Sequence, residues 1–254
     1  MSGTDHSAVA DWQGPGPVLV LVRPQMGENI GAAARGMWNF GLDRLRLVAP
    51  RDGWPNERAV AMASGAGQVL DQVQVAADVP GAIGDLNFVF ATTARGRELT
   101  KEVYSPESAM VLARALIDDG QRVGVMFGPE RSGLENEDVA RANASISVPV
   151  NPAFGSLNLA QCVLLMGYEW RKSIGTVAEV MEMRRTRFAN RLEVEKLVEH
   201  LMEKLDAVGF FFPAAKAPGM RENLRNMFGR LPLSDADVKT IHGIFRALAE
   251  KRGE

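Results

Sequence analysis

Residues 126–170 read MFGPERSGLENEDVARANASISVPVNPAFGSLNLAQCVLLMGYEW. The pattern predicts a strand, a glycine loop, a short acidic helix, a second strand, a polar loop and a long apolar helix. Each predicted strand is followed by a polar loop, at residues 128–130 and at residues 151–158. Ligands of open α/β sheets bind outside the carboxyl ends of the strands, and loops held by buried strands often carry function. We therefore expect the functional site at this edge of a sheet.

The same alternation extends through residues 17–172. Predicted strands lie at 17–23, 44–48, 73–75, 87–91, 122–127 and 144–148. Predicted helices lie at 29–40, 57–63, 106–119, 136–142 and 157–172. Strands that alternate with helices, several of them near-continuous apolar runs, indicate a mostly parallel, doubly wound α/β sheet.

The two ends of the chain have a different character. Residues 1–16 are polar and turn-rich, which predicts a loose tail. After residue 172 the helix-periodic segments 189–208, 220–228 and 234–251 predict a small all-α module, residues 173–254, that begins with a basic linker. Residues 171–191 hold six basic and two acidic side chains, typical of a solvated face when taken alone. The run Phe210-Phe211-Phe212 is expected in the core of this module rather than as a base-stacking surface.

Composition excludes several classes of protein. The chain of 254 residues has 46% hydrophobic and 24% charged residues and a net charge of −2, so it is ordinary globular material. The single cysteine, Cys162, excludes a disulfide framework and favours a reducing compartment; its apolar helical neighbours predict a buried structural thiol. Three scattered histidines predict no metal site. Since no apolar run spans a membrane and no signal peptide is visible, we expect a cytoplasmic protein.

The common phosphate and hydrolase motifs do not occur. Gly27, Gly31 and Gly36 follow the first strand but miss the G-x-G-x-x-G spacing, and no Gly-Lys-Ser/Thr sequence exists. Ser64 lacks the G-x-S-x-G frame of a hydrolase. A nicotinamide enzyme, a P-loop enzyme and an α/β-hydrolase are therefore disfavoured, and a small-molecule α/β enzyme would leave the helical tail without a purpose.

Polar loops at strand ends remain as candidates. Spacing alone favours Asn29 as a helix N-cap. Arg35, inside the alanine- and glycine-rich GAAARG segment, is suited to an anion that approaches closely. Arg95 and Arg97 are either solvated or phosphate contacts. Glu130 is either a structural acid that binds backbone N–H groups or a functional one.

Three of these segments together resemble a known family. NIGAAARG (29–36), FGPERSGLENED (127–138) and VPVNPAFGSLNLAQCVLLMGYEW (148–170) are similar to the three ordered motifs of SPOUT-class RNA 2′-O-ribose methyltransferases. With NLRNMF (223–228) and IHGIFRAL (241–248), the chain most resembles the TrmJ family of tRNA methyltransferases. That family methylates the ribose of the pyrimidine at position 32 of the anticodon loop, and the strong part of the resemblance covers residues 18–170.

The resemblance implies a trefoil knot within residues 87–172 and S-adenosylmethionine (SAM) as methyl donor. Glycines and free backbone groups in the knot loops would let the donor approach closely. The residues that the resemblance assigns to SAM are Thr92, Thr93, Ala94, Gly128, Val148, Gly155, Ser156 and Leu157.

The resemblance also implies which residues meet the RNA. Arg35 is expected at the reacting ribose as a clamp for phosphate and developing alkoxide, since a guanidinium stays protonated and is a poor base. Asn29, Glu130, Ser156 and Asn158 are expected to support it. Residues expected to contact RNA are Arg95, Arg184, Arg185, Lys216, Arg221 and Arg225. Pro129 departs from the asparagine common among relatives, which removes an amide contact there.

A homodimer is implied as well, with Arg35 serving its own or the second subunit's cofactor. Two alternatives stay open. One is a non-catalytic RNA-binding protein of the same fold. The other is a SPOUT methyltransferase that acts on another tRNA or rRNA ribose.

Overall fold

The structure, a computed structural model, describes residues 14–93, 101–174 and 187–250. Within these residues one sheet contains seven strands, all paired in parallel, in the order β3-β2-β1-β6-β4-β7-β5. The strands are β1 (Val18–Val22), β2 (Leu45–Val48), β3 (Gln74–Ala76), β4 (Phe88–Thr92), β5 (Val103–Tyr104), β6 (Val123–Phe127) and β7 (Ala144–Ile146). The predicted parallel α/β sheet is confirmed.

Helices cover both faces of the sheet. They are α1 (Gly27–Asn39), α2 (Glu57–Ala63), α3 (Gly67–Asp71), α4 (Val79–Ile83), α5 (Pro106–Asp118), α6 (Asn136–Ala140) and α7 (Leu159–Lys172). β1 shows why the strands are apolar on both sides: Leu19 and Leu21 pack with α1, α2, α5 and α7, whereas Val18 and Val20 pack with α4 and α6. These side chains are at most 3% exposed, which is the burial expected of a strand between two helical layers.

The glycines of the GAAARG region allow helices to approach one another. A Cβ at Gly31 would lie 2.1 Å from the carbonyl oxygen of Ala59 in α2, and one at Gly36 would lie 3.4 Å from Leu164 in α7. A side chain at Gly31 would therefore force α1 and α2 apart. The small residues around Arg35 serve close packing of α1 between its neighbours.

Three further helices follow the sheet: α8 (Arg191–Ala207), α9 (Ala217–Arg230) and α10 (Asp235–Glu250). They share a cluster of buried apolar side chains that includes Leu197, Val198 and Phe228. The expectation for Phe210–Phe212 was wrong for two of the three rings. Phe211 packs against the cluster, but Phe210 is 48% and Phe212 81% exposed, because the turn after α8 points them outward.

Helices α8 and α9 contact the sheet region through a joint that is rich in buried charge. Arg191 is 7% exposed and donates from Nη1 to the carbonyl of Gly229 at 3.2 Å. Glu195 lies between two guanidinium groups, 2.7 Å from Arg141 in the turn after α6 and 3.0 Å from Arg225 in α9. A Cβ at Gly229 would lie 2.4 Å from the carbonyl oxygen of Ala140, so α9 is seated directly against the end of α6.

None of the helices in the described parts of the chain combines the length and hydropathy needed to cross a membrane.

Candidate active site

A cavity of about 340 Å³ opens at the carboxyl ends of three strands that are neighbours in the sheet, β6, β4 and β7. Backbone-rich loops after each strand form its polar side, and branched apolar side chains form its wall. The lining residues are Thr92, Thr93, Phe127, Gly128, Pro129, Glu130, Arg131, Ser132, Gly133, Leu134, Ile146, Val148, Val150, Gly155, Ser156, Leu157, Leu159 and Cys162. The position is the edge at which the sequence predicted a site.

The end of β4 is held at the cavity by hydrogen bonds to the strand on each side. The Thr92 hydroxyl donates to the carbonyl of Met126 at 2.9 Å, and the Thr93 amide donates to the carbonyl of Ile146 at 2.9 Å. β4 is thereby tied to both of its neighbours at the rim of the cavity. A rim fixed in this way presents its remaining backbone groups to a ligand with little freedom to move.

Gly128 is required where β6 ends. A Cβ there would lie 2.1 Å from the amide nitrogen of Leu134, because the loop folds back over its own start. The fold-back is a turn in which the Gly133 amide donates to the carbonyl of Pro129 at 2.9 Å. Gly133 has a φ of +68°, a backbone conformation that glycine adopts without strain. The sequence GPERSG therefore encodes a tight loop around the cavity.

The loop after β7, residues 147–158, is held by hydrogen bonds at Asn151 and at Asn158. Asn151 forms a turn in which its side chain accepts from the Ala153 amide at 3.0 Å and its carbonyl from the Phe154 amide at 2.8 Å. Asn158 is the N-cap of α7, where Oδ1 accepts from Ala160 N at 2.9 Å and from Gln161 N at 3.3 Å. The cavity-lining residues Gly155 to Leu157 lie between these anchors.

One hydrogen-bond network joins three strand ends. Glu130 accepts from the backbone amides of Gln25 (2.8 Å) and Met26 (3.2 Å) and from Asn29 Nδ2 (2.8 Å). Asn29 Oδ1 in turn accepts from Asn158 Nδ2 at 3.0 Å. The loops after β1, β6 and β7 are therefore linked through three side chains. The negative carboxylate lies at the positive N-terminus of α1, which favours both.

Two expectations change at this point. The prediction that Asn29 is a helix N-cap was wrong: Met26 occupies that position without a side-chain bond, and Asn29, 8% exposed, lies in the first turn. The structural interpretation of Glu130 is confirmed, because its carboxylate accepts from backbone N–H groups, and the residue also lines the cavity.

Arg35 does not join this group. It is exposed on α1, nearly two turns after Asn29, and does not line the cavity of its own chain. Within the residues that the structure describes, no hydrogen bond or ion pair to its guanidinium is found. Of the five residues predicted at the ribose, Asn29, Glu130 and Asn158 form the network and Ser156 lines the cavity, whereas Arg35 stands apart.

The predicted cofactor residues fall together. Seven of them line the cavity: Thr92, Thr93, Gly128, Val148, Gly155, Ser156 and Leu157. The eighth, Ala94, lies outside the described residues, as do Arg95, Arg97, Arg184 and Arg185.

Cys162 lines the cavity too, which the sequence analysis missed. It is half-buried rather than fully buried, and burial raises the pKa of its thiol to about 11. A thiol with this pKa stays neutral and serves as part of the apolar wall. Its position three residues after Leu159, one helical turn from the loop, was the available signal.

The basic residues predicted on α9 and just before it differ in availability. Lys216 is exposed. Arg221 lies 2.8 Å from Asp206 and stacks 3.9 Å above the Phe211 ring. Arg225 is held by Glu195 in the joint. Of these three residues, only Lys216 is exposed to solvent without an acidic partner in the structure as described.

The described ranges of the chain contain no group of three or more His, Cys, Asp or Glu side chains that could hold a metal ion.

Comparison with known proteins identifies the class. The model of the SpoU rRNA Methylase family matches residues 16–168, more than half of the chain. The chain therefore belongs to the SpoU rRNA Methylase family. The model of the tRNA methyltransferase TrmJ C-terminal domain matches residues 192–254.

Individual relatives agree over nearly the whole length. The tRNA (cytidine/uridine/adenosine-2′-O-)-methyltransferase TrmJ of Pseudomonas aeruginosa is 32% identical over 252 residues, covering 93% of this chain and 97% of the relative. The tRNA (cytidine/uridine-2′-O-)-methyltransferase TrmJ of Escherichia coli is 30% identical over 237 residues, covering 92% and 95%. The crystal structure of TrmJ from Z. mobilis ZM4 is 46% identical, with a TM-score of 0.83 over 91% of this chain and 98% of that one. The chain belongs to the TrmJ family of SpoU methylases, and the resemblance drawn from the sequence is confirmed.

Proposed function

We propose that this protein transfers a methyl group from SAM to a ribose 2′-hydroxyl of tRNA, at the pyrimidine in position 32 of the anticodon loop. One observation carries the proposal. Two of the three motif segments line one cavity, and the first segment, about 100 residues earlier in the sequence, is joined to both through the Asn29–Glu130–Asn158 network. Relatives in the TrmJ family are named as tRNA 2′-O-methyltransferases of cytidine and uridine.

The cavity suits SAM in size and chemistry. A volume of about 340 Å³ lies within the range of roughly 300–1,000 Å³ of small-molecule sites. The loop residues Gly128 and Leu157 would meet the polar parts of SAM, while Val148 and Leu159 would give apolar walls. When bound, SAM supplies an electrophilic methyl group. We infer that residues 87–172 bind it in the trefoil knot of this class, an inference supported by the position of β4 between β6 and β7.

The residues of the chain divide the remaining work. Asn29 and Asn158 hold the loops around the acceptor, and Ser156 presents a hydroxyl beside it. Arg35 binds the substrate phosphate and stabilises the alkoxide that develops as the 2′-oxygen attacks. Methyl transfer needs the oxygen in line with the donor, so these contacts act chiefly by positioning.

Arg35 reaches a cavity in a homodimer. The α1–α7 face carries apolar side chains at its surface: Leu164 is 40% and Tyr168 49% exposed, and Tyr168 stacks edge-on with Phe40 at 6.0 Å. Pairing of two copies through this face would cover these side chains. It would also carry Arg35 of one subunit to the cavity of the other.

The rest of the chain extends the RNA surface. We infer a methyltransferase domain (17–172) and a helical module (173–254); most of the predicted tail (1–16) and of the predicted basic linker lies outside the described residues. Arg95, Arg184, Arg185, Lys216, Arg221 and Arg225 remain the proposed RNA contacts, with Lys216 the most accessible of the three described. A tRNA substrate and a single thiol agree with a cytoplasmic protein.

The test is methylation of unmodified tRNA with labelled SAM, followed by digestion to nucleosides and mapping. We expect a 2′-O-methylpyrimidine at position 32. Product at another ribose would overturn the assignment of position 32. If the protein bound tRNA but showed no heat with SAM and formed no product, it would be a non-catalytic RNA-binding protein.

A further inference from the structure

Phe154 is an exposed aromatic residue directly before the cavity-lining residues Gly155, Ser156 and Leu157. It is 77% exposed. Leaving a phenylalanine side chain in water forgoes the favourable burial that such rings normally obtain, so an exposed ring beside a ligand cavity indicates a contact made during function.

The ring is displayed by an ordered turn. The Phe154 amide donates to the carbonyl of Asn151 at 2.8 Å, and the Asn151 side chain accepts from Ala153 at 3.0 Å. Four residues later Asn158 caps α7 and binds Asn29. A ring on a turn tied at both ends can act as a platform, because little conformational entropy is lost when a ligand stacks on it.

Methylation of a ribose sets a geometric requirement for the attached base. The methyl donor fills the cavity, so the acceptor ribose must stand at its mouth and the base must remain outside. A loop nucleotide turned toward an enzyme loses stacking on its neighbours in the RNA. Proteins commonly replace that stacking with an aromatic side chain.

We propose that Phe154 is the platform on which the base of the target nucleotide stacks. Position supports this assignment: the ring adjoins Gly155 and Ser156, and Ser156 is the hydroxyl proposed at the ribose. Stacking recognises a flat base without reading its hydrogen-bonding edge, so Phe154 contributes to binding of cytidine and uridine alike. This inference rests on the proposed function and deepens it.

The test uses Phe154→Ala and Phe154→Tyr, with Phe212→Ala as matched control. Phe212 is equally exposed, at 81%, but lies in the turn after α8. We expect Phe154→Ala to raise KM for tRNA about tenfold or more, as loss of one stacked base does elsewhere. Affinity for SAM should not change, Phe154→Tyr should retain the wild-type KM, and Phe212→Ala should leave KM within about twofold.

A modified RNA separates stacking from a structural role. A tRNA with 5,6-dihydrouridine at the methylated position keeps the ribose and the hydrogen-bonding edge but has a puckered, non-aromatic ring. The wild-type enzyme should lose as much on this substrate as Phe154→Ala loses on normal tRNA. Phe154→Ala should lose nothing further, since the two changes remove the same contact.

Three results would overturn the inference while leaving the proposed function intact. One is a Phe154→Ala enzyme with the KM of the wild type. Another is a pair of effects, variant and dihydrouridine, that multiply as independent losses do. The third is a shift from dimer to monomer in light scattering of Phe154→Ala, which would make the ring an intersubunit contact. Failure of the wild-type enzyme to methylate any tRNA would overturn the proposed function and this inference together.

Discussion

The rim of the cavity and the joint between the sheet region and helices α8 and α9 are held by different kinds of interaction. At the rim, the loops are joined by two amides, one carboxylate and backbone groups. At the joint, Glu195 lies between Arg141 and Arg225, and Arg191 is buried beside them. At the rim, the Glu130 carboxylate accepts from backbone and amide N–H groups and has no basic partner among them. The joint serves only to hold helices α8 and α9 against the sheet region.

The difference has an energetic side. Hydrogen bonds from neutral amide donors need no second charge and depend mainly on geometry, whereas ion pairs depend on the charge of both partners. The rim should therefore lose function when its geometry changes, and the joint should lose stability when its charge changes. Four changes test this contrast.

The largest effect is expected from Arg35→Ala. Removal of the proposed clamp on phosphate and alkoxide should lower the rate of methyl transfer by roughly 10²–10³-fold, with SAM affinity nearly unchanged. Arg35→Lys should rescue poorly, because lysine lacks the planar fork. Single-turnover kinetics and calorimetry measure the two quantities.

Arg44→Ala is the matched control for Arg35, since Arg44 is also exposed but precedes β2 at the opposite edge of the sheet. It should methylate at the wild-type rate. A collapse of SAM binding in Arg35→Ala would contradict the assignment of Arg35 to the ribose side.

Gly128→Ala should be the next largest. The added Cβ would lie 2.1 Å from a backbone nitrogen that cannot rotate away, so the loop must move. We expect a loss of roughly 1–3 kcal/mol in the free energy of unfolding and at least about tenfold in SAM affinity. Gly219→Ala in α9, where a Cβ meets nothing within 4 Å, should be neutral or slightly stabilising. Equal SAM affinity for Gly128→Ala and the wild type would show that the loop can move to accommodate the added Cβ.

Asn158 separates capping from the network. Asn158→Asp keeps the acceptor that caps α7 but loses the donor to Asn29, so turnover should fall about tenfold while the melting temperature stays close to the wild type. Asn158→Ala loses both, and should also lose roughly 0.5–2 kcal/mol of stability. Thermal melts and turnover of the two variants, measured side by side, would refute this division if Asn158→Asp had full activity.

The joint should have the smallest effect on methyl transfer, and its effect on stability depends on pH. Burial acts to raise the pKa of Glu195, but bonds and charges from Arg141 and Arg225 outweigh it and hold the pKa below its usual 4.5. The carboxylate therefore stabilises the fold above pH 4.5, and this contribution disappears as the pH falls through the lowered pKa. Glu195→Gln should cost about 1–3 kcal/mol at pH 7, and the difference from the wild type should shrink below pH 4.5.

Glu203→Gln is the control for Glu195, because that side chain is 75% exposed and its carboxylate lies 3.8 Å from the Lys204 ammonium. It should leave denaturant midpoints unchanged at every pH. A pH-independent loss in Glu195→Gln would mean that shape, not charge, holds the joint.

Much of the architecture could be read from local patterns. β1 and β6 are apolar runs buried on both faces, and such runs predict a parallel sheet without reference to the rest of the sequence. β5 was missed because two residues at a sheet edge carry no periodicity, and α3 and α4 are only five residues long. The predicted helix at residues 220–228 lies within α9, which already starts at Ala217.

The site was less accessible from local patterns. The loops could be located because they follow strands, but the partners of Asn29 lie 101 and 129 residues away, and no spacing rule connects them. The cofactor residues came from resemblance rather than from periodicity. Exposure of Phe212, in the turn after α8, and of Arg35, on α1, depends on which parts of the surface lie against neighbours, a tertiary property.

The long reach of Asn29 also bears on how the protein is made. α1 leaves the ribosome early, but its first turn has no side-chain cap of its own, and the acid that binds its backbone amides arrives with residue 130. The second partner arrives with residue 158. A nascent chain that ends before residue 130 therefore carries an α1 with an unsatisfied start. The rim can close only after all seven strands have been synthesised and β6 has paired with β1.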